Sequence, residues 1–125
     1  MEKEKIYFAD SSYLIDLSRE REEALRLQAT NKIITSLICV YELGKLSDLT
    51  AEEIIADNQV EALNLEDIQH SIDIYRTLKK KGEMVNQLDV LIAAQAINRN
   101  LTLLTADKDF QKIEGLKTKY YRETQ

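Results

Sequence analysis

Short apolar runs alternate with longer stretches of helical periodicity along the chain. Ile6-Tyr7-Phe8-Ala9 is compact and aromatic-rich, and reads as a buried first strand. Ser11 or Ser12 is placed to cap a helix to about Leu17, and a polar helix follows over about Arg19 to Ala29. Lys32-Ile33-Ile34-Thr35 predicts a second strand. Ser36 then caps an apolar helix from Leu37 to about Ser47, with Leu37, Val40, Tyr41 and Leu43 expected inside. Thr50 and Glu53 have the spacing of a capping box opening a short helix to about Asp57. Val60 to Leu63 reads as a third, weaker strand.

Glu66 to Lys81 carries Ile68, Ile72, Tyr75 and Leu78 at spacings of three and four, the mark of an amphipathic helix. Lys79, Lys80 and Lys81 suit the negative end of its dipole, and Gly82 can terminate it. Asn86 to Arg99 is apolar on several sides and predicts a buried helix. Leu101 to Thr105 reads as a fourth strand, Asp107 to Ile113 as a short helix, and Lys117 to Tyr121 as a last strand. Strands separated by helices imply an α/β fold, a mostly parallel sheet with helices on both faces. Ligands of such sheets sit beyond the carboxyl ends of the strands.

Composition narrows the classes. A chain of 125 residues with 44% hydrophobic content suits one domain, residues 1–125, with one core. Lys plus Arg is 17 and Asp plus Glu is 22, a net charge of −5, which argues against holding nucleic acid by a basic groove alone. The lone Cys39 forbids an internal disulfide, and with the lone His70 it cannot complete a structural zinc site. No apolar run approaches a membrane span, and the charged opening Met1-Glu2-Lys3-Glu4-Lys5 is not a signal peptide. A soluble, cytoplasmic protein is the expectation.

Most of the acids lie on polar stretches, but four do not. Asp10 follows the first strand and Asp107 the fourth, both at the carboxyl edge of the expected sheet. Glu42 and Asp89 sit inside helices rich in apolar residues. A buried carboxylate is costly unless paired or bound to a cation, and basic partners are scarce nearby in sequence. All four can converge on one sheet edge, where they would raise each other's pKa values unless a cation sat among them. Hard oxygen donors without histidine or thiolate select Mg²⁺ or Mn²⁺. Such a site suits phosphodiester hydrolysis, because a metal activates water and neutralises charge on the scissile phosphate. Taken singly, Asp10 and Asp107 also read as helix caps, and Glu42 as part of a narrow polar stripe.

Asp10-Ser11-Ser12-Tyr13-Leu14-Ile15, Thr35-Ser36 through Glu42-Leu43, Gly82, Asp89-Val90-Leu91-Ile92-Ala93-Ala94, Leu103-Leu104-Thr105-Ala106-Asp107, Phe110 and Ile113-Glu114-Gly115-Leu116 follow one another along the chain. In these segments the sequence resembles the PIN-domain family and, within it, the VapC-type toxins of toxin–antitoxin pairs. The resemblance implies a three-layer α/β/α fold with a central, mostly parallel sheet of four to five strands. It implies a Mg²⁺- or Mn²⁺-dependent endoribonuclease whose catalytic and metal-binding residues are Asp10, Glu42, Asp89 and Asp107. Ser12 and Thr105 match supporting hydroxyl positions, and Asp109 is an alternative fourth acid. An RNA substrate, a VapB-type antitoxin and a homodimer are implied with it. Two departures stand out: Ser11 replaces a threonine, and the stretch from Glu42 to Leu65 is short, so the helical arm there is expected to be reduced.

The alternative is a catalytically weak PIN-fold binding module that docks a partner protein or RNA. A receiver domain wants an acidic pair where Asp10 stands alone, and a haloacid-dehalogenase-type phosphatase wants Asp-x-Asp where the chain has Asp10-Ser11-Ser12. His70 reads as a surface residue, and Cys39, Tyr7, Tyr13 and Tyr41 as core. Phe110, Tyr120 and Tyr121 read as packing residues, and the basic stretch of Lys108, Lys112, Lys117, Lys119 and Arg122 as solvated or as phosphate contacts. Setting the four site acids aside leaves 18 acidic against 17 basic residues, so most of the excess charge belongs to the expected metal site.

Overall fold

The structure, a computed structural model, describes residues 4–123; the charged opening at Met1, Glu2 and Lys3 lies outside them. Five strands form one parallel sheet in the order β3-β2-β1-β4-β5: β1 Ile6–Ala9, β2 Lys32–Ser36, β3 Gln59–Glu61, β4 Thr102–Thr105 and β5 Thr118–Tyr120. The helices between them are α1 Ser11–Ser18, α2 Glu22–Thr30, α3 Leu37–Lys45, α4 Ala51–Asp57, α5 Leu65–Lys81 and α6 Gln87–Asn98, with a 3-10 turn over Lys108–Lys112.

The central strand, β1, is buried on both faces. Phe8, Ile34 and Leu103 join one packed cluster with α5 and α6, while Tyr7, Ala9, Ile33 and Leu104 join another with α1 and α2. This two-sided burial is why the strands read as apolar runs rather than alternating ones. From β1 the chain crosses to β2, whereas from β4 it moves outward to β5. The connections therefore diverge between β1 and β4, and the crevice at their carboxyl ends is the switch point of the sheet. Asp10 and Asp107 stand at that crevice.

Several local expectations are refined. Asp10, rather than Ser11 or Ser12, is the N-cap of α1, accepting from the Tyr13 N–H. Both capping boxes present are complete, at Thr50/Glu53 and at Asn64/Asp67. Gly82 ends α5 in the left-handed conformation, with φ +68°, that glycine adopts without strain.

Three burial expectations fail. Leu37 and Tyr41 are 43% and 59% exposed; α3 rests on Cys39, Val40 and Leu43, and the opposite face meets solvent with Lys45 lying over the Tyr41 ring. On α5, Ile68 and Ile72 are about 40% exposed, because the inward face is Asp67, Ser71, Ile74 and Leu78. That face is rotated from the apolar one because Arg99 and Asn98 reach Asp67 and satisfy it. His70 is half-buried rather than a free surface residue, with Nδ1 2.8 Å from Asn98 Oδ1.

Candidate metal centre

Asp10 is 3% exposed, and every contact around it follows from its place between β1 and α1. Its backbone N–H continues the ladder to Leu104 O at 3.1 Å. Its Oδ1 accepts from the Ser12 hydroxyl at 2.7 Å and from the Tyr13 N–H at 3.1 Å, and its Oδ2 accepts from the Thr105 hydroxyl. Burial pushes its pKa up to about 6 against these three hydrogen bonds, and the charge of Asp107 adds to the rise.

The two supporting hydroxyls are themselves anchored. Ser12 Oγ accepts from the Ala106 N–H at 3.0 Å, and Thr105 Oγ1 accepts from the Asp107 N–H at 2.9 Å. Ser12 and Thr105 thus tie the end of β4 to the acid at the end of β1. Asp107 caps the 3-10 turn, its Oδ1 accepting from the Asp109 N–H at 2.9 Å.

Glu42 is half-buried on α3, and its Oε1 accepts from the Ser11 hydroxyl. Residue 11, one of the two departures from the family pattern, therefore contacts a site acid directly. Asp89 is half-buried in the first turn of α6. Burial raises its pKa to about 7, and the charges of Asp107, Asp10, Glu42 and Asp109 add to that rise. Asp10, Glu42 and Asp107, from three separate parts of the chain, therefore all act electrically on Asp89, and Asp107 acts on Asp10 as well. None of them forms an ion pair among the described residues, whereas Asp109 lies 3.3 Å from Lys112.

In this arrangement no three carboxylate, imidazole or thiol groups among the described residues are gathered tightly enough to hold an ion. The donor set itself, four carboxylates with no ion-pair partner among the described residues, fits a hard divalent cation.

Sequence reasoning missed two further buried acids. Asp67 is fully buried, but Arg99 donates to both its oxygens, at 3.0 and 3.1 Å. Asp16 is 5% exposed, and Arg122 and Tyr121 donate to it. Hydrogen bonds from these partners outweigh burial and hold both carboxyls below the usual range. Their partners lie 32 and 106 residues away in sequence, so no local pattern announced them. Gln95, also fully buried, accepts from Ser36 at the head of α3 and donates to Glu61 O, joining the helices that carry Glu42 and Asp89.

Fold and site together define a class: a parallel α/β protein with an unpaired acidic cluster at its sheet switch point. The sequence matches the PIN domain over residues 7–116, and the chain belongs to that family. No curated protein matches it. Among solved structures it is similar to a chain of VapBC2 from Rickettsia felis bound to a promoter DNA fragment, with 21% identity and a TM-score of 0.76, covering 91% of this chain and 97% of that one. It is similar to a chain of VapBC-1 from nontypeable Haemophilus influenzae, with 27% identity and a TM-score of 0.75, covering 93% and 98%. FitAcB from Neisseria gonorrhoeae shares the fold at 17% identity and a TM-score of 0.71, covering 93% and 97%.

Proposed function

We propose that the chain is a VapC-like toxin, a Mg²⁺- or Mn²⁺-dependent endoribonuclease whose catalytic, metal-holding residues are Asp10, Glu42, Asp89 and Asp107. The observation that carries this is that Asp107, Asp10 and Glu42 all act electrically on Asp89 in a PIN domain, with no ion-pair partner for any of the four among the described residues. A bound divalent cation would supply charge neutralisation at the scissile phosphate and lower the pKa of a water so that it could lose a proton and become a nucleophile.

The protein's own groups prepare that site. Ser12, Thr105 and the Tyr13 N–H hold the Asp10 carboxylate in one orientation. Ser11 does the same for Glu42. Burial and the neighbouring acids raise the Asp89 pKa to about 7, so a bound cation would favour its charged form. Asp107 serves as the fourth acid rather than Asp109, whose carboxylate is already engaged by Lys112.

Two apolar surfaces fit the partners of such a toxin. A groove lined by Leu14, Leu17, Leu25, Leu43, Leu49 and Ile54, rimmed by Glu20 and Asp57, suits an apolar segment carrying basic residues, as an antitoxin would supply. The exposed Leu65, Ile68 and Ile72 on α5 form a stripe suited to a second copy. The similar structures include VapBC2, VapBC-1 and VapBC-5, the last a member of the VapBC family of toxin–antitoxin systems, which supports the antitoxin reading. Co-purification from the host, or the gene immediately upstream, identifies that partner.

The decisive experiment is RNA cleavage with Mg²⁺ or Mn²⁺, with EDTA and Asp10→Asn as controls. Cleavage that survives both controls removes this site from the chemistry. A second reading, a binding module of weak activity, is favoured by the spacing of the acids, none of which is gathered three to a point. Calorimetry showing no divalent binding at millimolar Mg²⁺ selects it.

A further inference from the structure

Asp16, Tyr121 and Arg122 form a second polar cluster beside the acidic site. Arg122 Nε and the Tyr121 hydroxyl both donate to Asp16 Oδ2, at 2.5 and 2.6 Å. The Tyr121 ring meets the Tyr13 ring edge-on at 5.3 Å, and the Arg122 guanidinium lies 5.8 Å from the Tyr121 ring. Tyr13 is fully buried, and its hydroxyl donates to Ala24 O at 2.7 Å. Asp16 is matched by its arginine, so it is not a fifth member of the unpaired acids.

We propose that Tyr121, Arg122 and Asp16 are positioning residues, a clasp from the C-terminal end of the sheet that fixes the first turn of α1 and, through it, the site acids. The inference rests on the function proposed above. It starts from β5, a strand of three residues paired, among the described residues, with β4 alone. Immediately beyond it, Tyr121 and Arg122 reach across the carboxyl edge of the sheet to α1. Asp16 lies four residues after Ser12, on the same helix face.

The first turn of α1 is where the site is assembled. Ser12 bonds both Asp10 and the Ala106 N–H, Ser11 bonds Glu42, and the Tyr13 N–H bonds Asp10. A tilt of α1 therefore moves the partners of two acids at once. The clasp opposes that tilt from the β5 side with two hydrogen bonds and an aromatic contact. It touches none of the four acids itself.

The test uses the full chain, with Arg122→Gln, the milder Tyr121→Phe, and Thr50→Ala as a remote control that loses only the cap of α4. Three quantities are measured where circular dichroism shows every variant folded: Mn²⁺ affinity by calorimetry, amide exchange of Tyr13 and Ala106 in EDTA, and kcat and KM on RNA. The clasp predicts that Arg122→Gln weakens Mn²⁺ binding about tenfold, the scale seen when residues that orient metal ligands are changed. Tyr121→Phe should shift it in the same direction by less. Both should speed exchange at Tyr13 and Ala106 and lower kcat with KM unchanged. Thr50→Ala should lower the melting temperature and leave Mn²⁺ affinity alone. Clasp variants that bind Mn²⁺ like the wild type overturn the inference, and so does an equal loss in Thr50→Ala. A wild type that binds no Mn²⁺ overturns the proposed function and this inference together.

Discussion

Replacing Asp10 by asparagine should stabilise the metal-free protein while abolishing its activity. The carboxylate is 3% exposed, and its pKa is raised from 3.8 to about 6 by burial, with the charge of Asp107 adding to it. Keeping it ionised there costs about 3 kcal/mol, at about 1.4 kcal/mol per pH unit. Asparagine retains an oxygen for Ser12 and Tyr13, but it turns an amide donor toward the Thr105 hydroxyl, which donates to Asp10 Oδ2 in the wild type and loses that acceptor. That mismatch costs about 1 kcal/mol. The net gain is about 2 kcal/mol, or a rise of about 8 °C in Tm for a chain of this size. Its pH dependence has a definite sign. Between the unfolded and folded pKa values the native state holds the extra proton, so wild-type stability falls as pH rises through that window. The variant's advantage should be complete above about pH 6 and should fade near about pH 4. Thermal melts in EDTA at several pH values measure it. Millimolar Mg²⁺ should reverse the ranking, because a ligand of the native wild type alone adds to its stability. A variant that melts no higher than wild type in EDTA near pH 8, or a gap that persists unchanged near pH 4, refutes the reasoning.

Other consequences are separable. Mn²⁺ affinity of the wild type should drop as pH falls below about 7, because burial and the neighbouring acids make Asp89 take up a proton that competes with the cation. Calorimetric affinities unchanged from pH 5 to pH 8 contradict this. Asp107→Asn should cost far more cleavage activity than Asp109→Asn, since Asp109 is paired with Lys112; equal rates would shift the site to both residues. Arg99→Ala should cost about 3–5 kcal/mol in a denaturant melt, because it strands the fully buried Asp67 carboxylate. Ile72→Asp should shift the protein to monomer in sedimentation if the α5 stripe joins two copies, and an unchanged dimer places the interface elsewhere.

Element type was legible wherever apolar runs were short and flanked by caps. All five strands are found where the chain alternates run and helix, with β3 at Gln59–Glu61 rather than Val60 to Leu63 and β5 trimmed to Thr118–Tyr120. The helix faces were less legible, and α5 shows why. A face search follows apolar side chains, but the buried face of α5 contains Asp67 and Ser71, admitted because Arg99 from the far end of α6 satisfies the acid. The same blindness hid Asp16, whose partner arrives 106 residues later. Asp10 and Asp107 could be placed at the site edge because strand ends are visible in sequence. Ser11 and Gln95 could not be placed, since their partners, Glu42 and Ser36, depend on how helices meet over the sheet.

The strand order has a consequence for the timing of synthesis. β1 emerges first, yet it lies between β2 and β4, so its second edge stays open until residues 102–105 have been made. The Thr105 hydroxyl and Asp107 arrive with that closing strand, and Tyr121 and Arg122 arrive later still. Chains fold from the N-terminus as they are made, so a nascent or prematurely terminated chain holds three of the four acids with no assembled centre. Under the proposed function, nuclease activity would therefore await synthesis beyond Asp107, whatever the state of the strands made before it.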